Sequence, residues 1–408
     1  MNRATQEYIR KHANDDVRQL ALRPVPADVE LHDALQQIEG RQLAARKLPA
    51  CAATDGFLFP PRLSMEQCSS ETTAMYKRYV VRRLLEAMPP TKWGGEGPIF
   101  CDLTGGLGID FMAIAPLFKQ AVYVERNVDL CNLARNNLPL MGCTHAEVVC
   151  GDASDFLLPV TFLFIDPARR DDAGRKVARI EDCTPDVCAL QEQLRKYSVY
   201  TIIKLSPMLD ITAALRSLQG IAEVHVVCVE GECKELLLVM GPIRRRGVIP
   251  ICCADIEAML PLNIISEFRF TLQQEKDAPL VIGDWDGGLP PFLYEPNAGI
   301  MKAGAYKSIC RRYPVQKLAR HSHLYGAEEH LANFPGRQWG VLDHATFSKK
   351  DLKRLLEGID AADLTVRGFP MSVAKLRKQL HLKEGGNAHF IATTLADNQK
   401  VLIRVERL

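Results

Sequence analysis

Between Ile99 and Asp110 the chain reads IFCDLTGGLGID. Four residues of strand character, Ile99 to Asp102, run straight into Gly105, Gly106 and Gly108, and helical spacing resumes at about residue 109. Glycines let the backbone turn sharply there and come close to a ligand, with a helix N-terminus following at once. Outward from this point, short apolar runs alternate with helical stretches as far as Gly241. Strands are expected at 99–102, 121–125, 146–149, 161–165, 199–204, 222–229 and 234–240, with helices near 109–118, 127–138, 186–196 and 209–218. Such alternation means a parallel, doubly wound α/β sheet. Its end differs. EVHVVCVEGECKELLLVMG puts two strands on either side of Glu230, Gly231 and Glu232. Strands that close pair as an antiparallel hairpin, because a parallel crossover needs about a dozen residues or more.

Glu125, 23 residues after Asp102, closes the second strand. A carboxylate there can accept both hydroxyls of an adenosine ribose, as it also does in nicotinamide dehydrogenases. Three details favour S-adenosyl-L-methionine. The glycine order is G-G-x-G rather than G-x-G-x-x-G. Acids stand at both ends of the loop, Asp102 and Asp110, which suits a cationic amino and sulfonium ligand and would repel a pyrophosphate. The third strand ends in VVCGDAS, placing Asp152 and Ala153 where an adenine amino group would be read. With the reversed final strand, the segment resembles class I S-adenosylmethionine-dependent methyltransferases. The resemblance implies a Rossmann-like α/β sheet with a terminal antiparallel strand.

The fourth strand ends in FLFIDPARR. Open α/β sheets bind ligands at the carboxyl ends of their strands, so Asp166, Pro167 and Arg169 are the catalytic candidates. The motif resembles the D-P-P-Y and D-P-P-R loops of nucleic-acid methyltransferases, in which the acid and the proline carbonyl hold the nucleophile in line with the sulfonium. Methyl transfer is an in-line displacement, so such holding supplies much of the rate. Asp166 could also take the released proton. Arg169 stands where an adenine-stacking aromatic would be, and can bond a base edge or a phosphate. D-P-A-R also occurs in uridine-C5 methyltransferases, which need a cysteine in the loop after strand five. That loop, KLSPMLD from Lys204 to Asp210, has none. Nitrogen and ribose-oxygen targets remain, and a base nitrogen of tRNA or rRNA is the expected one.

Further segments extend the likeness: MEQCSSETTAMYK (65–77), GECKELLL (231–238), YEPNAGIMKAGAYK (294–307), SHLYGAEE, GRQW and RGFPMSVAKLRKQLHLKEGG. Together they resemble a bacterial family of class I methyltransferases with a helical N-terminus, a ferredoxin-like domain and a C-terminal THUMP-like domain. The likeness runs from about Phe57 to the end and implies an RNA substrate. Carried over by position, the cofactor-binding candidates are Asp102, Gly105, Gly106, Gly108, Glu125, Asp152 and Ala153. Gln67 and Lys77 lie on the helix before the sheet, where such enzymes close over the methionine end. An exposed helix face would explain those two equally well. The expected domains are a helical region at 1–90, the methyltransferase domain at 91–250, a linker with the ferredoxin-like domain at 251–333, and the THUMP-like domain at 334–408. Residues 242–290, which open on Arg244, Arg245 and Arg246, read as less regular.

The 408 residues are 47% hydrophobic and 25% charged, ordinary for globular proteins, which excludes disorder as a whole-chain reading. Mean hydropathy is -0.07, and no apolar run reaches membrane-spanning length. The N-terminus is too polar for a signal peptide, and the 13 cysteines read as reduced thiols, so a cytoplasmic location is expected. His321, His323 and His330 match no standard zinc spacing, and no metal is expected. The net charge of +2 conceals a split. Residues 301–408 carry 19 basic and 10 acidic side chains, a net +9, leaving −7 for residues 1–300. The basic part includes Arg311, Arg312, Lys349, Lys350, Lys353, Arg354, Lys375, Arg377 and Lys378, which suits a polyanionic partner. Two other readings stay open: a methyltransferase for a small molecule or a protein, and a non-catalytic RNA-binding protein that keeps a vestigial cofactor domain.

Overall fold

The computed structural model describes residues 1–89, 97–156, 158–168, 179–242, 248–285 and 288–408. Arg169 and the Arg244–Arg246 run lie outside the described residues. Two compact units are present. The first comprises Met1–Val229, Lys234–Gly247 and Ile256–Ile264, and the second Glu230–Cys233, Val248–Asp255 and Ile265–Leu408.

The first unit opens with helices α1 (Arg3–Lys11), α2 (Val17–Leu20), α3 (Leu31–Lys47), α4 (Pro49–Ala53), α5 (Arg62–Gln67) and α6 (Glu71–Glu86). Loop 55–61, broken by glycine and prolines, is tied down by Gln37, whose side chain donates to Phe59 O at 2.9 Å and accepts from Phe59 N at 2.8 Å. Spacing alone predicts one helix over 65–85; the structure has two. Ser70 caps α6 by accepting from Thr73 N at 3.2 Å, so the chain breaks at Cys68–Ser70. That break points Ser69 at Asp110, to which its hydroxyl donates at 2.7 Å.

The sheet then alternates as expected: β1 (Ile99–Asp102), α7 (Ile109–Ile114), β2 (Gln120–Glu125), α8 (Val128–Leu140), β3 (Ala146–Cys150), β4 (Val160–Ile165), α9 (Val187–Tyr197), β5 (Ser198–Leu205), α10 (Ile211–Ser217), β6 (Ile221–Val229) and β7 (Glu232–Met240). The strand order is β3-β2-β1-β4-β5-β7-β6. β1 to β5 pair in parallel and β7 runs antiparallel beside β5. Glu230 and Gly231 both have positive φ, 50° and 78°, the twist a two-residue hairpin turn requires. Every residue of β4, VTFLFI, is buried, which is the pattern of a strand covered on both faces. The first unit is thus the Rossmann-like α/β fold with a reversed strand, behind a helical N-terminal region.

In the second unit β8 (Pro250–Ile256) neighbours β9 (Ile264–Thr271), and α11 (Leu272–Asp277) starts on a Thr271/Gln274 capping box. The region therefore holds regular elements that the sequence does not betray. The apolar run in β8 is too short for its periodicity to separate strand from helix. Next come β10 (Phe292–Pro296), α12 (Ala298–Ala303), α13 (Ser308–Arg312), β11 (Gln316–Lys317), β12 (Tyr325–Ala327), β13 (Gly336–Thr346), α14 (Lys349–Leu355), β14 (Ala361–Arg367), α15 (Val373–Leu380), β15 (Lys383–Thr394) and β16 (Lys400–Arg407). The last seven strands form one sheet, in the order β11-β12-β10-β13-β16-β15-β14. β14 and β15, joined through α15, are its parallel pair. One face is filled by Leu376, Leu380, Phe390, Ala392 and Leu402, and a second cluster joins Leu293, Trp339, Ile391 and Ile403.

Candidate active site

The glycine turn owes its shape to Tyr123 on β2. A Cβ on Gly105 would lie 2.1 Å from that ring, so the backbone rests directly on it. The Tyr123 hydroxyl donates to Gly106 O. Gly106 and Gly108 have φ of +56° and +83°, and Gly108 is the N-cap of α7. Asp102, the last residue of β1, is 1% exposed and accepts from Thr104 N at 2.9 Å. Burial pushes its carboxyl well above the usual range, and the nearby Asp110, Asp166 and Glu125 add to the shift. A cationic group beside it would relieve that cost.

Glu125 ends β2. One carboxylate oxygen accepts from Gly106 N at 2.9 Å, the other from Asn127 N at 2.8 Å. A carboxylate has about four lone-pair positions, so capacity for two hydroxyls remains. Asp152 is exposed just past β3, and Ser154, through its N–H at 2.9 Å and hydroxyl at 2.7 Å, holds it below the usual carboxylate range. Ala153 beside it is buried. Gln67 lies exposed at the end of α5.

The loop after β4 is pinned to the glycine turn, because Asp166 N donates to the Thr104 hydroxyl at 2.7 Å. Pro167 is buried, and Ala168 and Thr184 exchange backbone hydrogen bonds at 2.7 and 2.9 Å. The Asp166 carboxylate pairs with Lys204 at the end of β5. Burial pulls Lys204 down, but Asp166, with Asp110 and Glu235 behind it, outweighs this and raises it above its ordinary value. Lys77, from α6, is fully buried. Its ammonium reaches both oxygens of Glu235 on β7, at 2.6 and 2.7 Å, and Asp110 at 3.1 Å.

Asp102, Glu125, Asp152 and Asp166 thus share the carboxyl edge of the parallel strands, with Gly105, Gly106 and Gly108 between them. Lys77 is brought to that edge as well, although its charge is already matched by Glu235 and Asp110. Lys204 and Glu235 are partners that reasoning from motifs missed. Lys204 ends a parallel strand and falls under the same edge rule as Asp166. Glu235 has a fainter signal, an acid at the head of the apolar run Leu236–Met240.

Comparison with known proteins bears on what this edge does. A crystal structure of a protein from Porphyromonas gingivalis W83, provisionally named a methyltransferase, matches at 32% identity and a TM-score of 0.83, over 99% of this chain and 97% of that one. The chain belongs to this methyltransferase family. Residues 292–335 match a ferredoxin-like domain family and 336–407 a THUMP domain-like family. β10 and β13, one from each segment, pair directly, so the two share a sheet. More distant is a protein from Pyrococcus horikoshii provisionally named an RNA methyltransferase (19% identity, 40% of this chain and 72% of that one, TM-score 0.29). The human methyltransferase 10 domain containing protein is similar at 14% identity, over 50% of this chain and 97% of that one, with a TM-score of 0.38. Scores this low add nothing to the family assignment. No curated protein matches the chain.

Of the nine basic residues singled out in the C-terminal part, two serve the fold. Arg354 pairs with Asp343 at 2.5 Å, and Arg377 donates to Ala362 O and Lys383 O at 2.8 and 2.7 Å. The other seven are exposed. Among the described residues no helix is long and apolar enough to cross a membrane.

Proposed function

We propose that the protein is an S-adenosyl-L-methionine-dependent methyltransferase acting on RNA. The observation that carries the reading is the gathering of Asp102, Glu125, Asp152 and Asp166 around a glycine turn seated on Tyr123. When bound, the cofactor supplies a methyl group made electrophilic by its sulfonium. Glu125 holds the ribose and Asp152 with Ala153 reads the adenine. Buried Asp102 faces the cationic methionine end, with Gly105, Gly106 and Gly108 keeping the backbone close. Asp166 and the Pro167 carbonyl hold the acceptor, and Arg169 contacts the substrate. Gln67 lies within the segment that closes over the methionine end. Lys77 acts by fixing Asp110 and Glu235.

RNA is favoured by the basic C-terminal part, with its seven exposed cations, and by the THUMP-like family of residues 336–407. Such a substrate, tRNA or rRNA, implies work in the cytoplasm. Methyl-labelled cofactor, supplied with total small RNA, total protein or a metabolite extract in separate reactions, tests the reading. Label is expected in RNA. Label in protein or metabolites alone would refute it, and Asp166→Ala should lose transfer while keeping cofactor binding.

A further inference from the structure

Four side chains of alternating charge meet at the acceptor end of this site. Lys77 comes from α6, Glu235 from β7, Lys204 from the end of β5 and Asp166 from the loop after β4. Lys77 holds both oxygens of Glu235, and Lys204 pairs with Asp166 within the field of Glu235 and Asp110. The side chain of Lys204 is 13% exposed and that of Asp166 35%, so this pair reaches solvent, whereas Lys77 and Glu235 are closed off from it.

A cationic methyl donor gives no reason for an ammonium here, because like charges repel. The acceptor does. A base nitrogen brings its own lone pair and gains positive charge as the methyl arrives, so an ammonium touching the acid that holds it works against transfer. A hydroxyl is the reverse case. Its oxygen is a weak nucleophile until the proton begins to leave, and the charge that then develops on it is negative. Asp166 offers a place for that proton, and Lys204 a fixed cation for that oxygen. The described residues of the loops after β4 and β5 include Pro167, Ala168, Ser206, Pro207 and Met208, and none is an aromatic that could stack an extruded base.

We propose that the acceptor is the 2′-hydroxyl of an RNA ribose, contacted by Asp166 and Lys204, with Lys77 and Glu235 as positioning residues. The proposal rests on the RNA methyltransferase reading and changes the acceptor atom from the base nitrogen that the sequence suggests. In the transfer, the ribose oxygen bonds to the methyl carbon as the carbon–sulfur bond breaks. The bonding pair leaves with sulfur, giving a neutral thioether, and the hydroxyl proton passes to Asp166 and then to water. The 2′-hydroxyl is also the group that separates RNA from DNA.

The test uses the full-length wild-type protein, methyl-labelled S-adenosylmethionine and RNA from a strain lacking the gene. A methylated 2′-oxygen cannot attack the adjacent phosphate, so label is expected in dinucleotides that survive alkaline hydrolysis. Label in alkali-released mononucleotides would overturn the ribose proposal and leave the RNA methyltransferase reading intact. Label in no RNA would overturn both. Lys204→Met should slow transfer by about 100-fold or more while S-adenosylhomocysteine still binds. A rate near wild type would remove Lys204 from the mechanism. Glu235→Gln should shift the pH–rate profile. An unshifted profile with a uniformly lower rate would reduce Glu235 and Lys77 to structural roles.

Discussion

Replacing Lys77 by methionine removes a cation that has no access to water and leaves two carboxylates behind it. The Lys77 side chain is 0% exposed, Glu235 4% and Asp110 10%. The ammonium lies 2.6 and 2.7 Å from the Glu235 oxygens and 3.1 Å from Asp110. Removing one partner of such a buried pair costs about 3–5 kcal/mol, because the remaining charge has neither water nor a counterion. In a folding unit of this size, each kcal/mol lowers Tm by roughly 2–4 °C, so the fall should be about 6–20 °C. Thermal unfolding by far-ultraviolet circular dichroism reads the total, and hydrogen exchange over α6 and β7 locates it. The loss should shrink as pH falls, because burial already pushes Glu235 up and an orphaned carboxylate there takes a proton readily. Lys77→Met with Glu235→Leu should recover much of the loss, since the second change removes the orphaned charge. If Lys77→Met cost less than about 1 kcal/mol, as a solvent-exposed pair would, the buried-charge reasoning would be wrong. Strict additivity in the double variant would refute it as well.

Gly105→Ala should cost about 1–3 kcal/mol and abolish S-adenosylhomocysteine binding, because its Cβ would stand 2.1 Å from Tyr123; unchanged affinity by calorimetry would separate the turn from the cofactor. Burial alone would raise Glu223, but His225 and Arg83 hold it down at about 2, against 4.5. That depressed value contributes about 3 kcal/mol, present above the ordinary carboxylate range and lost as pH falls toward 2. Glu223→Gln should therefore be less stable than wild type near neutral pH, with the gap closing in acid-unfolding curves. RNA binding should weaken steeply with salt, and Lys349→Ala, Lys350→Ala and Lys353→Ala should each reduce the log–log slope by up to about one, whereas a flat salt response would remove the C-terminal cations from the interface.

The strands and helices of the first unit were legible because they repeat at local spacing. Glycines at 105, 106 and 108 announce a turn, and the run Phe162–Ile165 announces a strand, which the structure shows to be buried along its whole length. The close pairing of β6 and β7 followed from the few residues around Glu230, Gly231 and Glu232 available to join them, which the structure narrows to a two-residue turn. Legibility failed where an element carries no period of its own, as in β8. It failed also where a single hydroxyl outweighs propensity, as when Ser70 caps α6 and splits a run that reads as one helix. The basic C-terminal residues were countable from sequence, but only the structure shows that Arg354, itself exposed, pairs with Asp343 and that Arg377 bonds backbone carbonyls.

By itself, the sequence determined the α/β sheet, its reversed strand and the row of acids at its carboxyl edge, because strand, turn and helix signals are written over a few neighbouring residues. The pairing of those acids was a tertiary decision. Residues 77, 110, 166, 204 and 235 are far apart in the chain and carry no shared period. Only when α6 closes on the sheet and β7 inserts beside β5 do two lysines lose their water and take carboxylates as partners. An ion pair depends on distance and burial, and neither quantity exists until the chain has folded.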